Sequence, residues 1–244
     1  MILPNVRASF GRAEAGAILG LLCRGDAAAR GREEERLRDD GFDALLDDPR
    51  TLNALLTAPG LSGVPARLIF YLIVRHALLE CAVIDRRLAD YLAALLLEFG
   101  HADRARQPAA DGQRLDYLVD IVAAIDAATG RERFLLQAHL GNFALWLSGL
   151  FPDRLLERVR RRGAPGIEYY EEMGRTGFRA AADTADAARY GIDEVLAGCA
   201  EEFPALRVSL NRMSDRWLFP RRGDPVGRLL RQVEDEFNLR QRPR

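Results

Sequence analysis

Lysine is absent from this sequence, and all 35 of its basic residues are arginine. An all-arginine surface can indicate recognition of phosphate or carboxylate, because the planar guanidinium binds both in a two-pronged geometry. The abundance of Ala, Gly, Leu and Asp favours a plainer explanation, the codon bias of a GC-rich genome. The formal net charge of −1 argues against a protein that binds nucleic acid or anionic membrane over its whole surface.

Cysteine is also scarce, and Cys23, Cys81 and Cys199 lie far apart without a C-x-x-C pair. This spacing excludes a disulfide framework and a cysteine zinc site. Residues 1–12 contain no apolar stretch of signal-peptide length, so we expect a cytoplasmic protein. The 48% apolar content is that of a globular chain with a sizeable core.

Several catalytic and cofactor motifs are missing as well. The chain has no P-loop, no G-x-G-x-x-G, no H-E-x-x-H, no nucleophile elbow and no kinase signature. The sequence therefore predicts no cofactor, and leaves open whether the protein is an enzyme.

The apolar residues recur mostly at helical spacing, and no segment shows the apolar–polar alternation of a β-strand. We predict an all-α bundle of about eleven helices around two buried apolar helices, at residues 64–84 and 132–150. Charges within residues 64–84 would each cost about 2.5–3.5 kcal/mol at the centre of a bilayer, so no membrane span is predicted. Two prolines and two glycines within residues 59–65 predict a boundary between an N-terminal helical segment, 1–60, and a main helical domain, 61–244.

The polar residues of the two apolar segments are the first candidate site. His76 and Glu80 share a helix face, which is typical of a general base with its orienting carboxylate. The alternative is a structural network, in which Glu80 pairs with an arginine of a neighbouring helix and His76 is hydrogen-bonded in the core. His139, Asn142 and Trp146 share a face of the second segment and are predicted to line a small-molecule pocket.

A metal site has weaker support. Glu98 and His101 have the E-x-x-H spacing of di-iron bundles, and Glu80 could add a carboxylate. The pattern is incomplete because a full site needs two such pairs and two further carboxylates. His101 also falls on the polar side of its helix, so the sequence predicts no metal site.

The third candidate is a basic patch at residues 154–162. Its members are Arg154, Arg158, Arg160, Arg161 and Arg162. Residues 204–244 add ten arginines against five acidic residues, a net charge of +5. A nucleic-acid surface is one interpretation, but no helix-turn-helix signature or interleaved aromatic residues accompany the arginines.

Three functional hypotheses follow. The first is an adaptor or regulator that acts through contacts with a protein partner or with a second copy of the chain. The second is a helical enzyme or a small-ligand or metal-binding protein, with a pocket around His76, Glu80 and His139. The third is a nucleic-acid binder that uses residues 154–162 and the C-terminal arginines.

Overall fold

The computed structural model describes residues 1–61, 63–100, 115, 117–218, 235 and 239. All regular structure in these ranges is helical, with thirteen α-helices, of which eleven have seven or more residues. A 3-10 helix at Arg7–Ser9 and a π-helical turn at Ser214–Leu218 complete it. The prediction of an all-α multi-helix bundle is confirmed.

Two of the four N-terminal helices begin at an aspartate whose side chain caps the first turn. Asp26 accepts hydrogen bonds from the backbone N–H groups of Ala28 and Ala29, and Asp48 accepts one from Arg50. These bonds satisfy donors that the first turn of a helix leaves free. The helices are α1 (Arg12–Cys23), α2 (Ala27–Asp39), α3 (Phe42–Leu46) and α4 (Pro49–Leu56).

Nine helices follow in the remainder of the described chain. They are α5 (Ala66–Glu80), α6 (Arg86–Phe99), α7 (Leu118–Ala127), α8 (Gly130–Leu150), α9 (Pro152–Arg162), α10 (Ile167–Ala182), α11 (Ala185–Tyr190), α12 (Asp193–Glu201) and α13 (Phe203–Met213). The two predicted apolar segments correspond to α5 and α8, and both helices pack against α13. Among the described helices, α8 and α10 pack against each other most extensively.

The N-terminal helices contact the remainder of the bundle mainly through α5. Arg75 of α5 is buried and forms two hydrogen bonds with the carboxylate of Asp47, at 2.7 and 3.0 Å. Leu45, Leu46 and Leu55 are buried in the same core as the later helices. The domain boundary near residue 60 stays a prediction, and strong contacts cross it.

The backbones of α8 and α10 approach closely because glycines face each other. A Cβ atom on Gly177 would lie 2.8 Å from the carbonyl oxygen of Gln137 and from the backbone nitrogen of Gly141. A Cβ atom on Gly141 would lie 2.5 Å from the ring of Phe178. Any other residue at either position would push the two helices apart.

The C-terminal end of α8 is buried and its free carbonyl groups are bonded by α13 and the turn after it. Asn211 Nδ2 donates to the carbonyl oxygens of Ser148 and Gly149, at 2.8 and 2.6 Å. Ser214 Oγ donates to the carbonyl oxygen of Leu150 at 3.0 Å. A buried helix end needs such partners, so these bonds fix where α8 stops.

The chain then turns sharply into α9 at Phe151 and Pro152. Among the described helices, none alone is long and apolar enough to cross a membrane; α8 and α9 meet that test only together, and they are bent by 90° to each other. The bend leaves an open inner corner between the two helices.

The glycine contact generates a stability prediction. We expect Gly177→Ala to lower the free energy of unfolding by about 1–3 kcal/mol, because the new methyl group meets backbone atoms that cannot move singly. Gly31→Ala is the control: Gly31 lies on exposed α2 with open space around its Cβ position. This change should raise the free energy by about 1 kcal/mol through helix propensity. Urea unfolding followed by circular dichroism measures both, and an unchanged Gly177→Ala variant would contradict the packing.

Candidate functional site

A cleft of about 530 Å³ occupies the inner corner between α8 and α9. Its walls combine aromatic and basic side chains from distant parts of the sequence. The aromatic members are Tyr117, Phe143, Trp146 and Phe151, and the basic members are Arg154, Arg158, Arg161 and Arg162.

The aromatic floor is a contiguous set of rings. Phe143 and Trp146 are three residues apart on α8, so they share a face, and their rings stack with centroids 5.9 Å apart. Trp146 also meets Phe151 edge-on at 5.0 Å. Trp146 and Phe151 are both partly exposed, so a planar ligand can reach them.

The basic wall is one face of α9. Residues 154, 158, 161 and 162 recur at helical spacing and lie side by side. The guanidinium of Arg154 lies 5.1 Å from the ring centre of Phe151, and that of Arg158 lies 5.4 Å from the ring centre of Tyr117. Arg161 is paired with Glu157 at 2.9 Å. Arg160, the fifth member of the predicted patch, does not line the cleft.

The described lining combines arginines with aromatic side chains. Glu157 and Tyr117 are its titratable side chains besides the arginines, and the lining contains no histidine, cysteine or serine. Nucleophilic catalysis needs an activated nucleophile next to a base, which these residues do not supply. Guanidinium groups beside aromatic faces instead attract an anion that carries a planar apolar part.

A second, smaller cavity lies closer to the start of α8, between α8, α6 and the N-terminal residues. Its volume is about 160 Å³, and its walls include Met1, Glu98, Phe99, His139 and Asn142. Tyr91, which also lines it, donates a hydrogen bond from its hydroxyl to Asn142 Oδ1 at 2.8 Å. His139 Nε2 is buried and has no hydrogen-bond partner among the described residues.

Burial determines the charge of His139. Loss of contact with water lowers the pKa of its imidazole to about 4, and the positive amino terminus of Met1 acts in the same direction. His139 is therefore neutral at pH 7. Its ring stacks on Phe143 and contacts Phe99, both with centroids 5.8 Å away, which holds the imidazole in place.

The residues that were expected to share one pocket lie in three places. His76 Nε2 is buried 3.0 Å from the carbonyl oxygen of Leu46, and burial lowers the pKa of its ring. Glu80 is exposed and pairs with Arg216 at 2.9 Å. Neither residue lines the cavity of His139. These contacts correspond to the structural alternative for His76 and Glu80, and the three residues do not line one pocket.

Trp146 and the metal candidates are also separated. Trp146 lies in the cleft, whereas His139 and Asn142 line the smaller cavity. Glu98 lines that cavity, and His101 falls outside the described residues. Within the described part of the chain, no three His, Cys, Asp or Glu side chains come together as a metal site would require.

Comparison with known proteins identifies no relative: no family model, no curated protein and no solved structure matches the chain. Function is therefore argued from the chemistry of the cleft and the cavity, because a helical bundle by itself implies none.

His139 gives stability a pH dependence. In the folded chain its pKa is about 4, against 6.5 for the ordinary side chain, so only the unfolded chain gains this proton as the pH falls below 6.5. We expect the free energy of unfolding to fall by about 3 kcal/mol between pH 6.5 and pH 4 on this account, and not to change above pH 7.

The matched measurement compares the chain with His139→Phe, which keeps an aromatic ring in the stack and cannot titrate. Contributions from carboxylates and from His76 cancel in the difference between the two proteins. If both lose the same stability between pH 6.5 and pH 4, His139 is not held neutral in the core.

Proposed function

We propose that the protein binds a small anionic ligand with a planar apolar part in the cleft between α8 and α9. The observation that carries this proposal is that four arginines and four aromatic side chains line one cleft of about 530 Å³. Small-molecule sites in proteins have volumes of about 300–1,000 Å³ and combine apolar walls with a few placed polar groups. A nucleoside diphosphate is the ligand class that fits, since its phosphates suit the arginines and its base suits the aromatic side chains.

The arginine face supports the anionic half. Arg158 and Arg162 are separated by one helical turn, so two phosphate groups can each meet a guanidinium. Stacking on Phe151 and Tyr117 restrains Arg154 and Arg158 before a ligand arrives. Restrained side chains lose less entropy on binding.

The ring cluster supports the planar half. Trp146 and Phe151 offer ring faces or edges next to the guanidinium groups, and a base stacked on such a ring gains about 1–3 kcal/mol. A ligand with both an anionic and a planar part should therefore bind more tightly than a ligand with only one of them.

The nucleic-acid hypothesis has less support than a small ligand. Arg207, counted in the basic C-terminal part, is buried and bonded to Glu171 and Asp235, so it adds nothing to a surface. The arginines after residue 218 lie outside the described residues. Arg216 of that part is paired with Glu80, and the cleft has a volume that suits one nucleotide rather than a polymer.

A protein contact is the second candidate. Tyr117 and Val119, at the start of α7, are 53% and 64% exposed, and Tyr117 borders the cleft. A partner protein with an acidic residue beside an aromatic one would complement the arginines and aromatic side chains of this surface. The protein would then act as an adaptor or regulator. We propose a cytoplasmic location for either function, and the free thiols of the three cysteines are consistent with it.

Titration with ADP, adenosine and pyrophosphate tests the small-ligand proposal. Trp146 fluorescence reports binding in a Trp217→Phe background, since these are the two tryptophans of the chain. We expect ADP to bind at least about tenfold more tightly than adenosine or pyrophosphate, with an affinity that falls as salt rises.

Two matched variants locate the site. Arg158→Gln removes a guanidinium of the cleft and should weaken ADP about 10- to 100-fold. Arg160→Gln removes the same charge from the same helix outside the cleft and should leave binding nearly unchanged. Equal effects of both variants, or equal binding of ADP and adenosine, would overturn the proposal. Tighter binding of a single-stranded oligonucleotide than of ADP would favour the nucleic-acid hypothesis instead.

A further inference from the structure

The cavity beside His139 is separate from the cleft and has walls of a different character. Phe99, Leu135, Ala138 and Ile192 supply its apolar walls, and Tyr91, Glu98 and Asn142 are among its polar ones. Its volume of about 160 Å³ is close to that of engineered protein cavities of about 150 Å³, which take up one benzene molecule. The space is therefore sufficient for one small ring.

Among the residues that line this cavity, His139 has a polar atom without a hydrogen-bond partner in the described structure. Tyr91 and Asn142 bond to each other, which uses the tyrosine hydroxyl and the amide oxygen. His139 Nε2 is buried without a partner in the described structure, and its residue is 6% exposed. Leaving a buried nitrogen without a hydrogen bond is unfavourable, because it has lost its water and gained no partner. The ring cannot easily turn away to find one, because Phe99 and Phe143 contact it on two sides.

We propose that this cavity binds an uncharged molecule of about the size of benzene that carries one hydroxyl group, such as a simple phenol. The hydroxyl can donate to Nε2 or accept from it, so it satisfies His139 in either neutral tautomer. The apolar walls accommodate the ring. A charged ligand is disfavoured beside Nε2, because a charge there would lose its water next to the buried side chains of Phe99, Phe143 and Ala138.

Phenol and toluene are the matched probes, since they have nearly the same size and differ by the hydroxyl group. With ¹⁵N-labelled protein, phenol should shift the Nε2 resonance of His139, which the His139→Phe variant identifies among the three histidines. We expect phenol to bind about tenfold more tightly than toluene. In His139→Phe that preference should disappear.

A second variant keeps His139 and removes the space. Ala138→Val adds two methyl groups to the cavity wall and should weaken phenol binding. Arg158→Gln in the cleft should leave the affinity for phenol unchanged. These results are independent of whether ADP binds the cleft. If phenol leaves the Nε2 resonance unchanged, or if toluene binds the unmodified protein as tightly as phenol, no ligand hydroxyl bonds to His139 and the proposal is overturned.

Discussion

The close approach of α8 and α10 at Gly141 and Gly177 is the constraint on which the rest of this molecule depends. It places the backbone of one helix against that of the other and so fixes the rotation of α8 about its axis. His139, Phe143 and Trp146 lie on the side of α8 opposite Gly141, because about 100° separates successive residues. The packing contact therefore determines which side chains of α8 remain for the cavity and the cleft.

The same helix explains why polar residues occur in an apolar segment. A helix that is apolar on most sides needs a neighbour on each of them. Space remains where neighbours diverge: at the 90° bend toward α9, and between α6 and the first residues of the chain. Trp146 lies at the first of these spaces and His139 at the second.

Arginine performs two different tasks in this lysine-free chain. Arg75 and Arg207 are buried, and each is bonded to carboxylates, so they hold elements together. Arg154 and Arg158 lie over aromatic rings at the cleft. The planar guanidinium suits both settings, since it forms bidentate bonds at its edge and stacks with its face. A count of arginines along the sequence cannot separate these tasks.

Which features could be predicted from the sequence depends on how far apart along the chain the residues that determine them lie. Helical periodicity and acidic caps act over a few residues, so the all-α class and the two apolar helices could be predicted. The basic face of α9 is also local. Its aromatic partners are not, since Trp146 meets α9 across the bend at Phe151 and Tyr117 comes from the start of α7.

The separation of His76, Glu80 and His139 has a similar cause. A shared helix face does not reveal what packs against it, and His76 meets α3 while Glu80 meets the turn after α13. His139 and Trp146 do share a face, yet seven residues of helix separate them by about 10 Å along the axis. That distance is enough to place them in different pockets.

Phe143 is the group that joins the two pockets. Its ring stacks on His139 at 5.8 Å and on Trp146 at 5.9 Å, and it is 2% exposed. In a close-packed interior such a ring has little room to adjust singly. A ligand that stacks on Trp146 therefore meets a surface whose position is already fixed by the core. The cleft gains its preorganisation from the same stack that immobilises His139, so the rigidity of one site supports the other.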